Sequence, residues 1–124
     1  MNLVDSSAWI EWFNAGPNSP LFRDPILDLP NLLVPTIVLF EVARRATQSL
    51  PAEVVAEMVR ALRRGRLIAL DETLALSAAK LGVEMKLAMA DSIIYATAQA
   101  LGATLWTQDA DFNGLPGVHY LAKA

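Results

Sequence analysis

The chain has no cysteine among its 124 residues. That removes disulfides, thiolate zinc sites and cysteine nucleophiles, and leaves a reducing compartment acceptable. Its single histidine, His119, falls in an expected strand, so a serine triad or a histidine pair of ribonuclease type has little to work with. The six glycines are scattered and match no phosphate-binding loop. The apolar stretch from Leu29 to Phe40 is short and broken by Pro30, Asn31 and Pro35, and the opening residues Met1 to Asp5 carry no basic leader. Neither secretion nor membrane insertion is expected, and the cytoplasm fits.

What the chain has in plenty is apolar side chains. They make up 54% of the residues, and the mean hydropathy is +0.35, more apolar surface than one small core readily hides. A single domain over residues 1–124 is expected, with a homodimer contact or a bound partner as the outlet for the surplus. The net charge of -3 conceals a split, because eight of the ten basic residues lie between Arg44 and Lys86 and the rest of the chain is strongly acidic. Solvated helix faces account for most of the basic segment. The split also permits an acidic pocket beside a basic rim.

Strand and helix signals alternate along the chain. Asn2 to Val4 reads as a short buried strand, and Ser6 and Ser7 offer caps for a helix through Phe13. A loop from Asn14 to Pro20 leads to a short helix from Leu21 to Leu29, a strand from Leu32 to Val34, and a helix from Ile37 to about Gln48 with Thr36 as its cap. Pro51 suits the first turn of the next helix, which runs on before Gly65. Leu67 to Leu70 is a third strand, and Asp71 caps a helix that ends near Gly82. Asp91 opens a helix closed by Gly102, and Ala103 to Trp106 and Val118 to Leu121 are the last strands. This alternation predicts an α/β fold, a three-layer α/β/α sandwich whose mostly parallel sheet has about five strands. Ligands of such sheets sit outside the carboxyl ends of the strands.

Four acids occupy those ends. Asp5 closes the first strand, Glu41 lies in the second turn of the helix after the second strand, Asp91 opens a helix, and Asp109 follows the fourth strand. Brought to about 5 Å, each ionised pair repels by roughly 3 kcal/mol at an effective dielectric of about 20, so the cluster must take up protons or cations. Hard oxygen ligands select Mg²⁺ or Mn²⁺ over zinc, and such an ion activates water and stabilises charge on a phosphodiester. Any one of these acids alone is commonly a cap or a loop solvator. Glu41 weighs most, since it interrupts the apolar run Val38-Leu39-Phe40 and Val42-Ala43. Asp111 weighs least, because Asp109-Ala110-Asp111 also suits a turn.

Val4-Asp5-Ser6-Ser7, the isolated Glu41, Ala90-Asp91-Ser92-Ile93-Ile94-Tyr95-Ala96 and Thr107-Gln108-Asp109-Ala110-Asp111-Phe112 together resemble a PIN domain, and specifically a VapC-type toxin. The likeness covers nearly the whole chain, in order. It implies an Mg²⁺- or Mn²⁺-dependent endoribonuclease, the toxin of a toxin-antitoxin pair, working as a homodimer that a cognate VapB-like antitoxin wraps and blocks. Carried over by position, Asp5, Asp91 and Asp109 are the metal ligands, and Glu41 holds or helps to activate water. Ser7 and Thr107 match hydroxyls that orient the acids, and Asp111 adds an outer oxygen. Arg44 and Arg45, one turn beyond Glu41, suit RNA phosphates at the pocket rim or equally a solvated helix end. Tyr95 and Met89 are read as packing residues, and Trp106 as part of a buried strand.

Two rivals remain. A phosphoryl-transfer domain with Asp5 as nucleophile would want a lysine after a late strand, and none lies between Lys86 and Lys123. A non-catalytic RNA-binding or scaffold module of the same fold would have no need of the full acidic set.

Overall fold

A computed structural model describes all residues from Met1 to Ala124. The sheet has five strands: β1 (Asn2–Val4), β2 (Leu32–Pro35), β3 (Arg66–Ile68), β4 (Thr104–Thr107) and β5 (Val118–Tyr120). Six helices flank it: α1 (Ser6–Phe13), α2 (Ser19–Leu27), α3 (Thr36–Thr47), α4 (Ala52–Arg63), α5 (Glu72–Met85) and α6 (Met89–Ala100). The strand order is β3-β2-β1-β4-β5, and every neighbouring pair is parallel. The expected α/β architecture with a five-stranded parallel sheet is therefore what forms.

Parallel strands need long return connections, and helices supply them. The chain moves outward from β1 to β2 and β3, then returns across β1 to lay down β4 and β5. The reversal between β1 and β4 is a topological switch point, where open α/β sheets leave a crevice at the strand ends. Leu3, Val4, Leu33, Val34 and Leu105 are at most 1% exposed, as expected for inner strands covered on both faces. Trp9 of α1, Phe22 of α2, Val38 of α3, Leu62 of α4 and Ile94 of α6 close over them in one core cluster.

Several boundaries differ from those expected, and each difference has a local cause. Asp5, and neither Ser6 nor Ser7, caps α1. Pro35 caps α3 without a side-chain bond, and Thr36 is already helical. The second helix starts at Ser19 and tolerates Pro25 inside it, ending at Leu27. The helix capped by Asp71 passes through Gly82 to Met85, and Gly82 serves the packing instead, since a Cβ there would meet Ser92 of α6; the helix stops only at Lys86, in the left-handed region at φ 57. The next helix opens at Met89, two residues before Asp91. β4 is shifted one residue on, which brings Thr107 into the strand, while β3 and β5 are shorter than expected. Met89 is 76% exposed and is no packing residue. Trp106 is only half-buried, stacked on His119 with ring centroids 4.2 Å apart. No helix is long and apolar enough to cross a membrane.

Candidate active site

The register of β1 and β4 builds the centre of the site. Val4 pairs with Trp106, and the Asp5 amide extends the ladder by donating to the Trp106 carbonyl at 3.1 Å. Asp5 and Thr107 therefore leave the two central strands side by side, at the switch point. Gln108 and Asp109 follow Thr107, and a single 3-10 turn (Ala110–Phe112) carries Asp111. Glu41 comes from the second turn of α3 and Asp91 from the first turn of α6.

Asp5 is 2% exposed and held from several sides. Its Oδ1 accepts from the Ser7 hydroxyl at 2.7 Å and from the Ala8 amide at 3.0 Å, and its Oδ2 accepts from the Thr107 hydroxyl at 2.5 Å. The two hydroxyls also tie down the next strand end. Thr107 Oγ1 accepts from the Asp109 amide at 2.9 Å, and Ser7 Oγ accepts from the Gln108 amide at 3.0 Å. Burial nevertheless dominates and pushes the Asp5 carboxyl up to about 6, against the downward pull of these hydrogen bonds.

Asp91, Asp109 and Asp111 each offer a carboxylate oxygen within 4.8 Å of the others. Asp109 Oδ1 accepts from the Asp111 amide at 2.9 Å, so the turn itself orients that pair. Asp91 is pushed up to about 6, first by burial and then by the negative charges of Asp109, Asp111, Glu41 and Asp5, in that order. One carboxyl thus feels the other four acids. Glu41 is fixed in turn, its Oε1 accepting from the Ser6 hydroxyl at 3.0 Å.

A concentration of hard oxygens whose charge disfavours its own ionisation fits a divalent cation better than any neutral ligand. Two oxygens on one magnesium ion, at about 2.1 Å each, lie at most about 4.2 Å apart. The spacing therefore suits one or two carboxylates bound directly and the rest through water. Thiolate and imidazole donors are missing from the group, which disfavours zinc.

Of the four expected acids, Asp91 and Asp109 share one close group, whereas Asp5 and Glu41 stand outside it and reach Asp91 through their charge; Ser7 and Thr107 both bond Asp5. Asp111, which weighed least in the sequence, stands in the tightest group of three. Arg44 and Arg45 part company: Arg45 lines a polar cavity with Ser6 and Ser7, whereas Arg44 borders a separate depression with Phe40 and Gln48. Sequence reasoning missed Ser6 as the partner of Glu41, and missed Gln108, whose Oε1 accepts from Asn18 Nδ2 at 2.6 Å. The only available signal was their adjacency to Asp5 and Asp109. Asp5 as a phosphoryl acceptor is disfavoured, since both its oxygens are already engaged.

The model of the PIN domain family matches residues 3–118. No curated protein matches the chain. Among solved structures, a toxin-antitoxin complex from Klebsiella pneumoniae is similar over 100% of both chains, with 25% identity and a TM-score of 0.85. FitAcB from Neisseria gonorrhoeae shares 24% identity over 98% of this chain and 96% of its own, with a TM-score of 0.79. VapC20 of Mycobacterium tuberculosis, a sarcin-ricin loop cleaving toxin, shares 20% over 94% and 95%, with a TM-score of 0.76.

Proposed function

Because this chain belongs to the PIN domain family, we propose that it is a metal-dependent endoribonuclease, the toxin of a VapBC-like toxin-antitoxin pair. The observation that carries the proposal is the position of Asp91, half-buried in one group with Asp109 and Asp111, its carboxyl raised first by burial and then by the charges of Asp109, Asp111, Glu41 and Asp5. Asp91 and Asp109 would hold Mg²⁺ or Mn²⁺, with Asp111 closing the group and Asp5 behind it. Such an ion, when bound, neutralises charge that builds on the phosphodiester and lowers the pKa of attacking water.

The chain's own residues do the rest. Thr107 and Ser7 fix the Asp5 carboxylate and the Asp109 backbone in one frame, so the acids need little reordering when charge develops. Ser6 holds one Glu41 oxygen, leaving the other free to accept a proton from water that approaches the scissile phosphate. With a single histidine, exposed on β5, the chain has no imidazole pair for attack by the ribose hydroxyl.

Partners follow from the neighbours. The Klebsiella structure is a toxin-antitoxin complex, and we extend to this chain a VapB-like antitoxin that covers the acidic pocket. Exposed Leu76 and Val83 on α5 and Met89 on α6 offer apolar surface of the kind a homodimer covers. One domain over residues 1–124, acting in the cytoplasm, completes the proposal.

The test is cleavage of single-stranded RNA with Mg²⁺ or Mn²⁺ by wild type, Asp91→Asn and Asp5→Asn, each shown to be folded by circular dichroism. Wild type should cut and both variants should lose at least about a hundredfold in rate, since even outer-shell partners of a metal cost about 10–100-fold. Equal rates would reject the assignment.

A further inference from the structure

Beside the acidic cluster lies a cavity of about 380 Å³, within the range of roughly 300–1,000 Å³ that holds small ligands. The two share a wall. Ser6, which donates to Glu41, and Ser7, which donates to Asp5, both line it, as does Gln108, the residue before Asp109. Only two of its ten lining residues are hydrophobic, so it suits a polar, hydrated ligand.

Its charge is what sets the cavity apart from the acids. Arg45 of α3 and Lys123 beyond β5 both line it. Arg45 lies four residues after Glu41, so the two share one face of α3 at successive turns. A cation thus stands about one helical turn from Glu41, on the wall of a cavity that Ser6 and Ser7 share with the acids. The acidic side chain in the wall, Glu11, is engaged by the Asn18 amide at 2.7 Å. Gln108 is 5% exposed and tied to Asn18, which itself donates to the Ala122 carbonyl at 2.9 Å. These bonds hold the wall and the chain end bearing Lys123 in place.

We propose that this cavity is a nucleotide subsite: it takes the RNA nucleotide adjoining the scissile phosphate, with Arg45 and Lys123 on that nucleotide's phosphate and Ser6, Asn14 and Gln108 facing its sugar and base. The subsite deepens the nuclease reading and rests on it for the identity of the strand. A free phosphate or mononucleotide would satisfy the same two cations, but only a strand also passes over the acids.

The experiment is fluorescence anisotropy of a labelled ten-nucleotide single-stranded RNA with the full chain in EDTA, over a series of KCl concentrations. Arg45→Ala/Lys123→Ala should bind about tenfold more weakly, and its salt slope should fall by about 0.7, the value for the one phosphate of a single strand that is no longer neutralised. Arg44→Ala removes a charge from the same helix at a position outside the cavity, and should leave the salt slope unchanged. The subsite is overturned if wild type binds no RNA, if the double variant keeps the wild-type slope, or if Arg44→Ala lowers it as much per charge. It is also overturned if inorganic phosphate or AMP displaces the RNA at micromolar concentration, which would mark a free-anion site. The outcome separates from that of the nuclease reading. RNA bound with this signature but left uncut in Mn²⁺ removes the nuclease and keeps the subsite, whereas RNA cut normally with unaltered variant binding does the reverse.

Discussion

At the scale of single residues, the site works against its own stability. Asp5 and Asp91 both titrate near 6 in the folded chain and near 4 when unfolded. A raised carboxyl contributes stability that is present below its unfolded value and is lost as the pH climbs through its folded one. Without metal, the protein should therefore melt higher at pH 5 than at pH 7.5, with roughly 1 kcal/mol of the difference from Asp5. Asp91→Asn replaces a half-buried charge with a neutral group of the same shape, so in EDTA at pH 7.5 it should raise the melting temperature while flattening the pH dependence. Thermal melts of the two proteins in EDTA at both pH values check this. A wild type that melts lower at pH 5, or a variant less stable at pH 7.5, would mean that burial and neighbouring charge do not raise these two carboxyls.

At the scale of elements, the helices act as carriers that fix where each acid arrives. α5 and α6 meet closely, and a Cβ at Gly82 would collide with Ser92 Oγ and lie 3.0 Å from Ser92 Cβ. Ser92 cannot easily turn away, because its hydroxyl donates to the Ala88 carbonyl at 2.7 Å and to the Leu87 carbonyl at 3.2 Å. Gly82→Ala should lose about 1–3 kcal/mol to overpacking, less the gain in helix propensity of up to about 1 kcal/mol, and should displace the helix that bears Asp91. Urea denaturation together with RNA cleavage measures both effects; an unchanged midpoint would show that the serine yields easily. Gly82 also illustrates what sequence conveys and what it hides. Element types were legible from apolar runs and caps, as with Asp71 ahead of α5, because these are local signals. The end of α5 was not, since a glycine required by a neighbouring helix looks the same as one that stops its own. Asp111 was undervalued for a similar reason: its distance to Asp91 depends on the crossover from α6 to β4, and nothing within Asp109-Ala110-Asp111 reveals it.

At the scale of the whole molecule, the sheet order turns a scattered set of acids into one charge centre. The chain reverses between β1 and β4, and Asp5, Thr107 and Asp109 come from the ends of those two strands. The helices on either side then deliver Glu41 and Asp91 to the same edge. Most of this gathering could be foreseen from the alternation of strands and helices, but the partition of Arg44 from Arg45 required the helix to be set on its sheet. Titration of Mn²⁺ into the metal-free protein, followed by calorimetry near pH 6.5 in two buffers of different ionisation heat, probes the gathered charge most directly. Wild type should bind Mn²⁺ with release of protons, because Asp5 and Asp91 are partly protonated there, and Asp91→Asn should bind at least about tenfold more weakly. Equal affinity in the two proteins, or binding with no proton release, would contradict a shared ion among these acids.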